Sequence, residues 1–317
     1  MRFLPYAEAS AVPNIVVDGA ANARTVLALS HWPKSGTPAA LKADTSTEIV
    51  FKYLDSPTSH VSAEAVSNNH FDEDGVLGVF ALLQPDLAAR HRALAIDAAQ
   101  AGDFGVYASR EAARVSFVLS AHAEASTSPF PSAIFKLGYQ ELTGELYVRL
   151  LDVLPALLAD RAPFRPLWED EDAKLTASEA RLDRGDVAIE ERGDLDLAIV
   201  RAATGESVHP FALHSRTPRT RLLLLLGRHA EVQYRYEGWV QMASRRPAPR
   251  VDLSALAGEL NERESSGGTW TFDGVDDITP RLHLEGAEET TIPPEAIIAS
   301  VEHHLRTGNP AWNPYDG

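Results

Sequence analysis

The sequence predicts an α/β protein: a mainly parallel sheet with flanking helices, followed by a smaller α+β C-terminal domain. Three observations lead there. Short apolar, β-like runs alternate with helical segments through the first half, the pattern of strand–crossover–strand units. The second half changes to closely spaced strand-like runs with few helices. Finally, 44 % hydrophobic and 23 % charged residues over 317 positions suit a globular chain long enough for two domains.

Asn14 to Gly19 and Arg24 to Ser30 read as short buried strands. A helix follows over Thr45 to Leu54, capped by Asp44 or Thr45 with Glu48 in its first turn. Ala63 to Val66 leans apolar and leads through an acidic turn into a buried helix that includes Val76 to Leu83. Asp86 to Ala101 has helical periodicity and stops at Gly102; Arg110 to Glu124 forms the next helix, before a Ser/Pro-rich loop to Pro131. Tyr139 to Asp160 puts Leu142, Leu146, Leu150, Val153 and Leu157 on one face. The run Arg161 to Pro166 breaks it, Trp168 to Leu182 resumes as a charged helix, and Asp186 to Glu190 turns strand-like. This sets a boundary between domains 1–183 and 184–317. Beyond it, Leu195 to Arg201, Arg221 to Gly227, Glu231 to Arg235 and Trp239 to Ala243 read as strands. Val251 to Glu264, capped by Asp252 or Ser254, and Ile297 to Arg306 read as helices, and the tail from Gly308 as an irregular segment.

Charge narrows the partners. With 45 acidic against 29 basic residues the net charge is −16, so phosphate-driven binding to duplex nucleic acid or an anionic membrane is disfavoured over most of the surface. No cysteine occurs, which excludes disulfides, thiolate nucleophiles and Fe–S or Cys-type zinc sites. The first residues lack the apolar core of a signal peptide, and the longest apolar run, Leu222 to Gly227, is too short to span a bilayer, so a cytoplasmic location is expected.

The densest chemistry is Asn68-Asn69-His70-Phe71-Asp72-Glu73-Asp74-Gly75. Like charges are seldom crowded into one turn unless a cation offsets them. Carboxylate oxygens suit hard divalent ions, and imidazole widens the choice to Mn, Fe or Zn. In extended geometry His70, Asp72 and Asp74 project to one side, towards one ion, while Glu73 points away. Gly75 would let the chain turn into the helix, whose N-terminal amides would face an anionic substrate group. The alternative is a solvated turn with a helix N-cap.

Other candidates are weaker in pattern. Asp97 lies within an apolar helix face, as a buried ligand or a half-exposed helix residue; Asp103 lies between two glycines just past that helix, as a ligand or an Asx-turn. His31 and Asp18 end buried strands, where open α/β sheets place ligands; His31 would be a ligand or proton-transfer group. Arg245, Arg246 and Arg250 form a basic loop that could hold phosphate or carboxylate, or simply balance acidic surface. Gly267 and Gly268 could approach a ligand closely or connect helix to strand. No Walker A motif, dinucleotide G-x-G-x-x-G or G-x-S-x-G elbow occurs.

His70-Phe71-Asp72-Glu73-Asp74-Gly75 resembles the H-x-D-x-D-G motif of the DHH phosphoesterase superfamily. Ser30-His31-Trp32 with Ser46-Thr47-Glu48 is similar to that superfamily's D-H-H strand end and S-T-x-E helix, and Val240 to Trp270 to its substrate-binding domain. The departures are that the first Asp is Ser30, the second His is Trp32, Thr269-Trp270 replaces the terminal histidine of its glycine turn, and the motif order is permuted. The resemblance implies a two-domain hydrolase with one or two Mn²⁺ or Mg²⁺ ions. His70, Asp72 and Asp74 would be ligands, Asp74 serving catalysis as well. Asp97 or Asp103 would be the bridging aspartate, His31 one histidine of the second motif, and Arg245 and Arg246 the substrate's anion holders. The whole chain also resembles an actinobacterial family of unknown function, which implies no activity. The expected partner is a small phosphorylated substrate such as a nucleotide, with a homodimer left open. The competing readings are a non-catalytic nucleotide- or protein-binding module that keeps the phosphoesterase-like fold, and a metal hydrolase of another class. The latter is disfavoured by the absence of H-x-H or H-E-x-x-H spacing.

Overall fold

The computed structural model describes residues 1–316 and divides the chain into two compact units, one of residues 1–174 with 242–244 and one of 175–241 with 245 onward. The first unit is built on a four-stranded, wholly parallel sheet of β1 (Arg2–Phe3), β2 (Asn14–Val17), β3 (Thr25–Leu29) and β4 (Ala65–Ser67), in the order β1-β4-β2-β3. Every residue of β2 and β4 is buried, as expected of parallel strands covered on both faces.

Its helices are α1 (Tyr6–Ala9), α2 (Ser46–Leu54), α3 (Glu73–Leu83), α4 (Pro85–Arg90), α5 (Arg92–Phe104), α6 (Arg110–Ala123), α7 (Tyr139–Ala159) and α8 (Glu169–Arg184), the last of which runs into the second unit. Helix α3 is apolar all round, and Val76, Leu77, Val79, Phe80 and Ala81 are fully buried among α2, α5, α6 and α7. The continuous helix expected over 86–101 is two helices meeting at His91, and the second passes through Gly102 to end at Gly105, whose φ of 65° supplies a left-handed cap. Gly102 is kept small by packing: a Cβ there would strike the Glu73 side chain of α3.

The second unit holds a mixed six-stranded sheet of β5 (Val187–Arg192), β6 (Leu197–Ala202), β7 (Arg221–Leu226), β8 (His229–Tyr234), β10 (Thr269–Phe272) and β11 (Arg281–Glu285), in the order β10-β11-β8-β7-β6-β5. Only the β6–β7 pair is parallel. Both faces are covered, which explains the unbroken run Arg221-Leu222-Leu223-Leu224-Leu225-Leu226. Leu223 and Leu225 pack with Leu256, Leu260, Ile297 and Val301 of α10 (Ser254–Arg263) and α11 (Pro294–Thr307). Leu222, Leu224 and Leu226 pack with Val208 and with Leu213 of α9 (Pro210–His214). The expected strand over 239–243 is absent, and Tyr236–Gly238 form a 3₁₀ turn instead. The tail is not wholly irregular: β12 (Pro310–Trp312) pairs with β9 (Arg250–Val251). No helix among the described residues is long and apolar enough to cross a membrane.

Candidate metal centre

Strand order sets the site. Central β2 is followed by Asp18, its neighbour β3 by Ser30-His31, and its other neighbour β4 by Asn68 to Asp74, so the carboxyl ends of three adjacent parallel strands converge. Asp18, at a left-handed φ of 50°, stands between two histidines. Its Oδ1 lies 3.2 Å from His31 Nε2 and its Oδ2 lies 3.4 Å from His70 Nε2. Two overlapping groups result, Asp18–His31–Asp74 and Asp18–His70–Asp72, each with its donor atoms within 4.8 Å of one another. Either group could hold a metal ion, and Asp18 belongs to both.

The expected one-sided projection of His70, Asp72 and Asp74 does not occur, because the helix starts earlier. Asp72 is the N-cap of α3, its Oδ1 accepting from Gly75 N at 2.7 Å while Oδ2 meets His70 Nε2 at 2.7 Å. Asp74 therefore sits in a helical turn and points to the start of α2, where Ser46 N and Thr47 N donate to its two oxygens at 2.6 Å each. Ser46 Oγ donates to Asp18 Oδ1 at 2.7 Å. These amides bind the protein's own carboxylates, so the first turns of α2 and α3 do not present them to an outside anion as the sequence suggested. Gly75 likewise serves close packing inside a helix, not a turn: a Cβ there would strike Asn68 and Tyr147.

Asp103, in the last turn of α5, brings its Oδ2 to 3.6 Å from His31 Nε2. Asp97 is elsewhere. Its Oδ1 accepts from Ala108 N, and its Oδ2 from Ser109 N and Oγ, at 2.7 to 2.8 Å, fastening the loop before α6. Both oxygens are used, so Asp97 is a structural residue and Asp18 stands where a bridging carboxylate was expected from Asp97 or Asp103.

Burial makes the charge balance severe. Asp18, His31 and Asp74 are essentially inaccessible, and the ion pairs of Asp18, Asp72 and Asp103 among the described residues run only to histidines. Desolvation raises the Asp18 carboxyl, but the close approach of the His31 and His70 rings outweighs it and holds the group well below the usual range. Desolvation opposes charge on the histidines too, yet Asp18 lifts His31 to about 9, and Asp72 with Asp18 lifts His70 to about 11. Burial, followed by repulsion from Asp18, pushes Asp74 up to about 7 and Asp72 upward; burial and Asp74 push Asp103 well above the carboxylate range. Glu73 rises to about 7 through burial, although Ser120 Oγ donates to it. Burial and mutual repulsion thus push Asp72, Glu73, Asp74 and Asp103 towards the protonated form while Asp18 stays low, an imbalance that a bound cation would relieve. The residues fit a divalent cation: the buried Asp18 Oδ2 has no hydrogen-bond partner, and the mixed N/O donor set suits Mn, Fe, Zn or Mg.

The departures from the H-x-D-x-D-G and D-H-H pattern are accommodated without adding ligands. Ser30 Oγ accepts from Trp32 N at 3.2 Å, and the Trp32 ring packs 4.9 Å from that of His70. Sequence reasoning missed Asn68 and Tyr147, whose side chains bond at 2.8 Å beneath the site. A tyrosine within the leucine face of α7 was the signal available.

The remaining candidates belong to the second unit. Arg250 is 1 % exposed, and its guanidinium donates to Asp277 O at 2.6 Å and Ile278 O at 2.7 Å, so it ties chain segments together and is not a substrate group. Gly268 packs against Leu284, Glu285 and Ala287, and Gly267 takes a φ of 88°; both build the turn into β10. Arg245 donates to Pro218 O and lies 3.5 Å from Glu237, while Arg246 stacks 4.7 Å over Tyr315.

A family model of unknown function, DUF6687, matches residues 1–316. The chain belongs to this family. Comparison with curated proteins and with solved structures gives no match. Membership of DUF6687 assigns no activity, so the site's own chemistry must carry the functional reading.

Proposed function

We propose that the chain is a divalent-metal-dependent phosphoester hydrolase acting on a small phosphorylated molecule such as a nucleotide, along the lines its H-x-D-x-D-G segment implies. The observation that carries this reading is Asp18, with one carboxylate oxygen facing each histidine. Mn²⁺ or Mg²⁺ ions bound there would supply an activated water and neutralise phosphoryl oxygens. Asp18 would bridge; His31 and Asp74 would serve the inner position, with Asp103 beside His31; His70 and Asp72 would serve the outer. The side chains of His70 and Asp72 are 17 % and 24 % exposed, whereas those of Asp18 and His31 are sealed, so substrate would enter on the His70 side. Trp32 would shield that edge by its packing on His70. Arg245 and Arg246 are kept by the same reading as candidates for holding an anionic substrate.

Elemental analysis of protein purified without a histidine tag, followed by a phosphoester panel with Mn²⁺ and with Mg²⁺, tests this. About one or two ions per chain is expected, with turnover that falls about 10²–10³-fold in Asp18→Asn. Absence of metal after Mn²⁺ addition would overturn the proposal. The Ser30 and Trp32 substitutions favour a second reading, a metal-holding module that binds a nucleotide or partner without hydrolysis; thermal stabilisation by nucleotide with no turnover would select it.

A further inference from the structure

We infer that Asp44 is a positioning residue, clamped by Ala243 and Ser244, that presets the His31 half of the metal centre. The inference rests on the metal reading above and extends it to residues outside the ligand set.

His31 Nδ1 lies 2.6 Å from the carbonyl oxygen of Asp44. A carbonyl can only accept, so Nδ1 carries the proton. In the neutral ring Nε2 then holds the lone pair, and Nε2 is the atom aimed at Asp18 and Asp103. This is the outer-shell arrangement that fixes the tautomer and ring angle of a metal-binding histidine. His70 lacks it: its Nδ1 is buried without a hydrogen-bond partner.

Asp44 is itself held. Its Oδ1 accepts from Ala243 N at 2.7 Å and Ser244 N at 2.8 Å, and its Oδ2 accepts from Ser244 Oγ. Residues 242–244 belong to the first unit although they are about 200 positions away in sequence. The clamp acts on more than His31, because Asp44 immediately precedes the turn in which Thr45 caps α2. In that turn Ser46 Oγ holds Asp18, and the amides of Ser46 and Thr47 hold Asp74. Residues 44–47 therefore touch all three members of the inner group, whereas His70 is held by Asn68 and Asp72 of its own turn, with no hydrogen-bond partner at Nδ1 among the described residues. Three donors on one half-exposed carboxylate are more than helix capping needs, since Thr45 Oγ1 already accepts from Glu48 N.

The test uses the full chain with Asp44→Ala and Ser244→Ala. The second alters an exposed residue, so it keeps the inference open to refutation if the first fails to fold. Mn²⁺ affinity is read by titration, and the exchange rate of the His31 Nδ1–H proton is read by ¹⁵N NMR of the metal-free protein, assigned with His31→Gln. We expect Mn²⁺ binding at the tighter site to weaken about tenfold or more in Asp44→Ala and less in Ser244→Ala. The Nδ1–H proton should exchange faster in both. Unchanged affinity with an unchanged exchange rate in a folded variant would overturn the inference. If the wild-type protein takes up no Mn²⁺, the hydrolase reading fails, and the exchange measurement still decides the role of Asp44.

Discussion

Both units bury charge, but they do so in opposite ways. In the second, each buried guanidinium faces oxygen: Arg221 donates to the carbonyls of Leu195 and Pro249, Arg235 pairs with Glu237 at 2.5 Å, and Arg250 is ringed by carbonyls. In the first, carboxylates outnumber their partners: Asp18, Asp72, Asp74 and Asp103 share two histidines. Buried charge that meets its complement holds a fold together, whereas buried like charge needs something the chain does not supply. The contrast separates structural residues from a candidate site without appeal to relatives.

The most direct way to break the comparison is to neutralise the shared carboxylate. Asp18→Asn keeps an amide oxygen for Ser46 Oγ, so the fold should persist. Metal content should drop, and metal-dependent hydrolysis should fall about 10²–10³-fold, as for loss of a principal electrostatic group. Full metal content in Asp18→Asn would show that the two groups are not joined through this residue. In the second unit the corresponding change is Arg250→Ala. Removing a fully buried guanidinium leaves several carbonyls without a partner and takes one of two cations from the ring of Tyr234. We expect about 3 kcal/mol or more of lost stability in denaturant unfolding, with metal uptake per folded chain unchanged.

Acidity sharpens the contrast through its sign. In the metal-free protein His31 and His70 have folded pKa values raised to about 9 and 11, so their stabilisation is complete below the unfolded value near 6.5 and is lost as pH rises through the folded values. Asp74 and Glu73, raised to about 7, bind protons in the folded state that the unfolded chain has released, which also makes stability fall between about pH 4 and 7. Within the cluster only Asp18, held low, acts oppositely, and it does so below pH 4; outside it, His122, lowered by burial, is a single histidine of opposite sign set against His31 and His70. Metal-free Tm should therefore decline from pH 5 to 9. With saturating Mn²⁺ the slope should reverse, since a metal displaces those protons and binds better as pH rises. Parallel slopes in both conditions would argue against a metal at this cluster.

Much of this was legible in the sequence. Period-two and period-3.6 patterns placed most strands and helices, and the ends of Val17 and Leu29 marked Asp18 and His31 because strand termini in such sheets are where ligands gather. What the sequence does not carry is which strand lies between which. Asp18 is central only because β2 lies between β3 and β4, a fact of pairing, not of local pattern. The start of α3 at Glu73 was hidden for a similar reason. Asp72 reads equally as ligand or cap, and it contacts both His70 and Gly75. Strands β10, β11 and β12 were missed because each is only three to five residues long, although Thr269-Trp270-Thr271-Phe272 and Arg281-Leu282-His283-Leu284-Glu285 do alternate. Arg250 looks like a surface arginine until Asp277 and Ile278 are brought onto it.

Asp97 and Asp103 give the smallest and most discriminating test, because only six residues of one helix separate them. Their sequence contexts are alike, apolar and small, yet one oxygen of Asp103 is buried without a hydrogen bond, 3.6 Å from His31 Nε2, whereas three donors fill both oxygens of Asp97. Asp97→Asn retains one acceptor and should cost about 1 kcal/mol, the scale of a lost cap, through weaker attachment of the α6 start. Mn²⁺ affinity should be untouched. Asp103→Asn should do the reverse: the amide never takes on the charge that burial and the neighbouring carboxylates oppose, so the metal-free protein should unfold at equal or higher denaturant while Mn²⁺ binding weakens. The pair is read by one urea titration and one metal titration for each variant. If Asp97→Asn weakens metal binding as much as Asp103→Asn, the distinction between complemented and uncomplemented buried charge does not locate function in this fold.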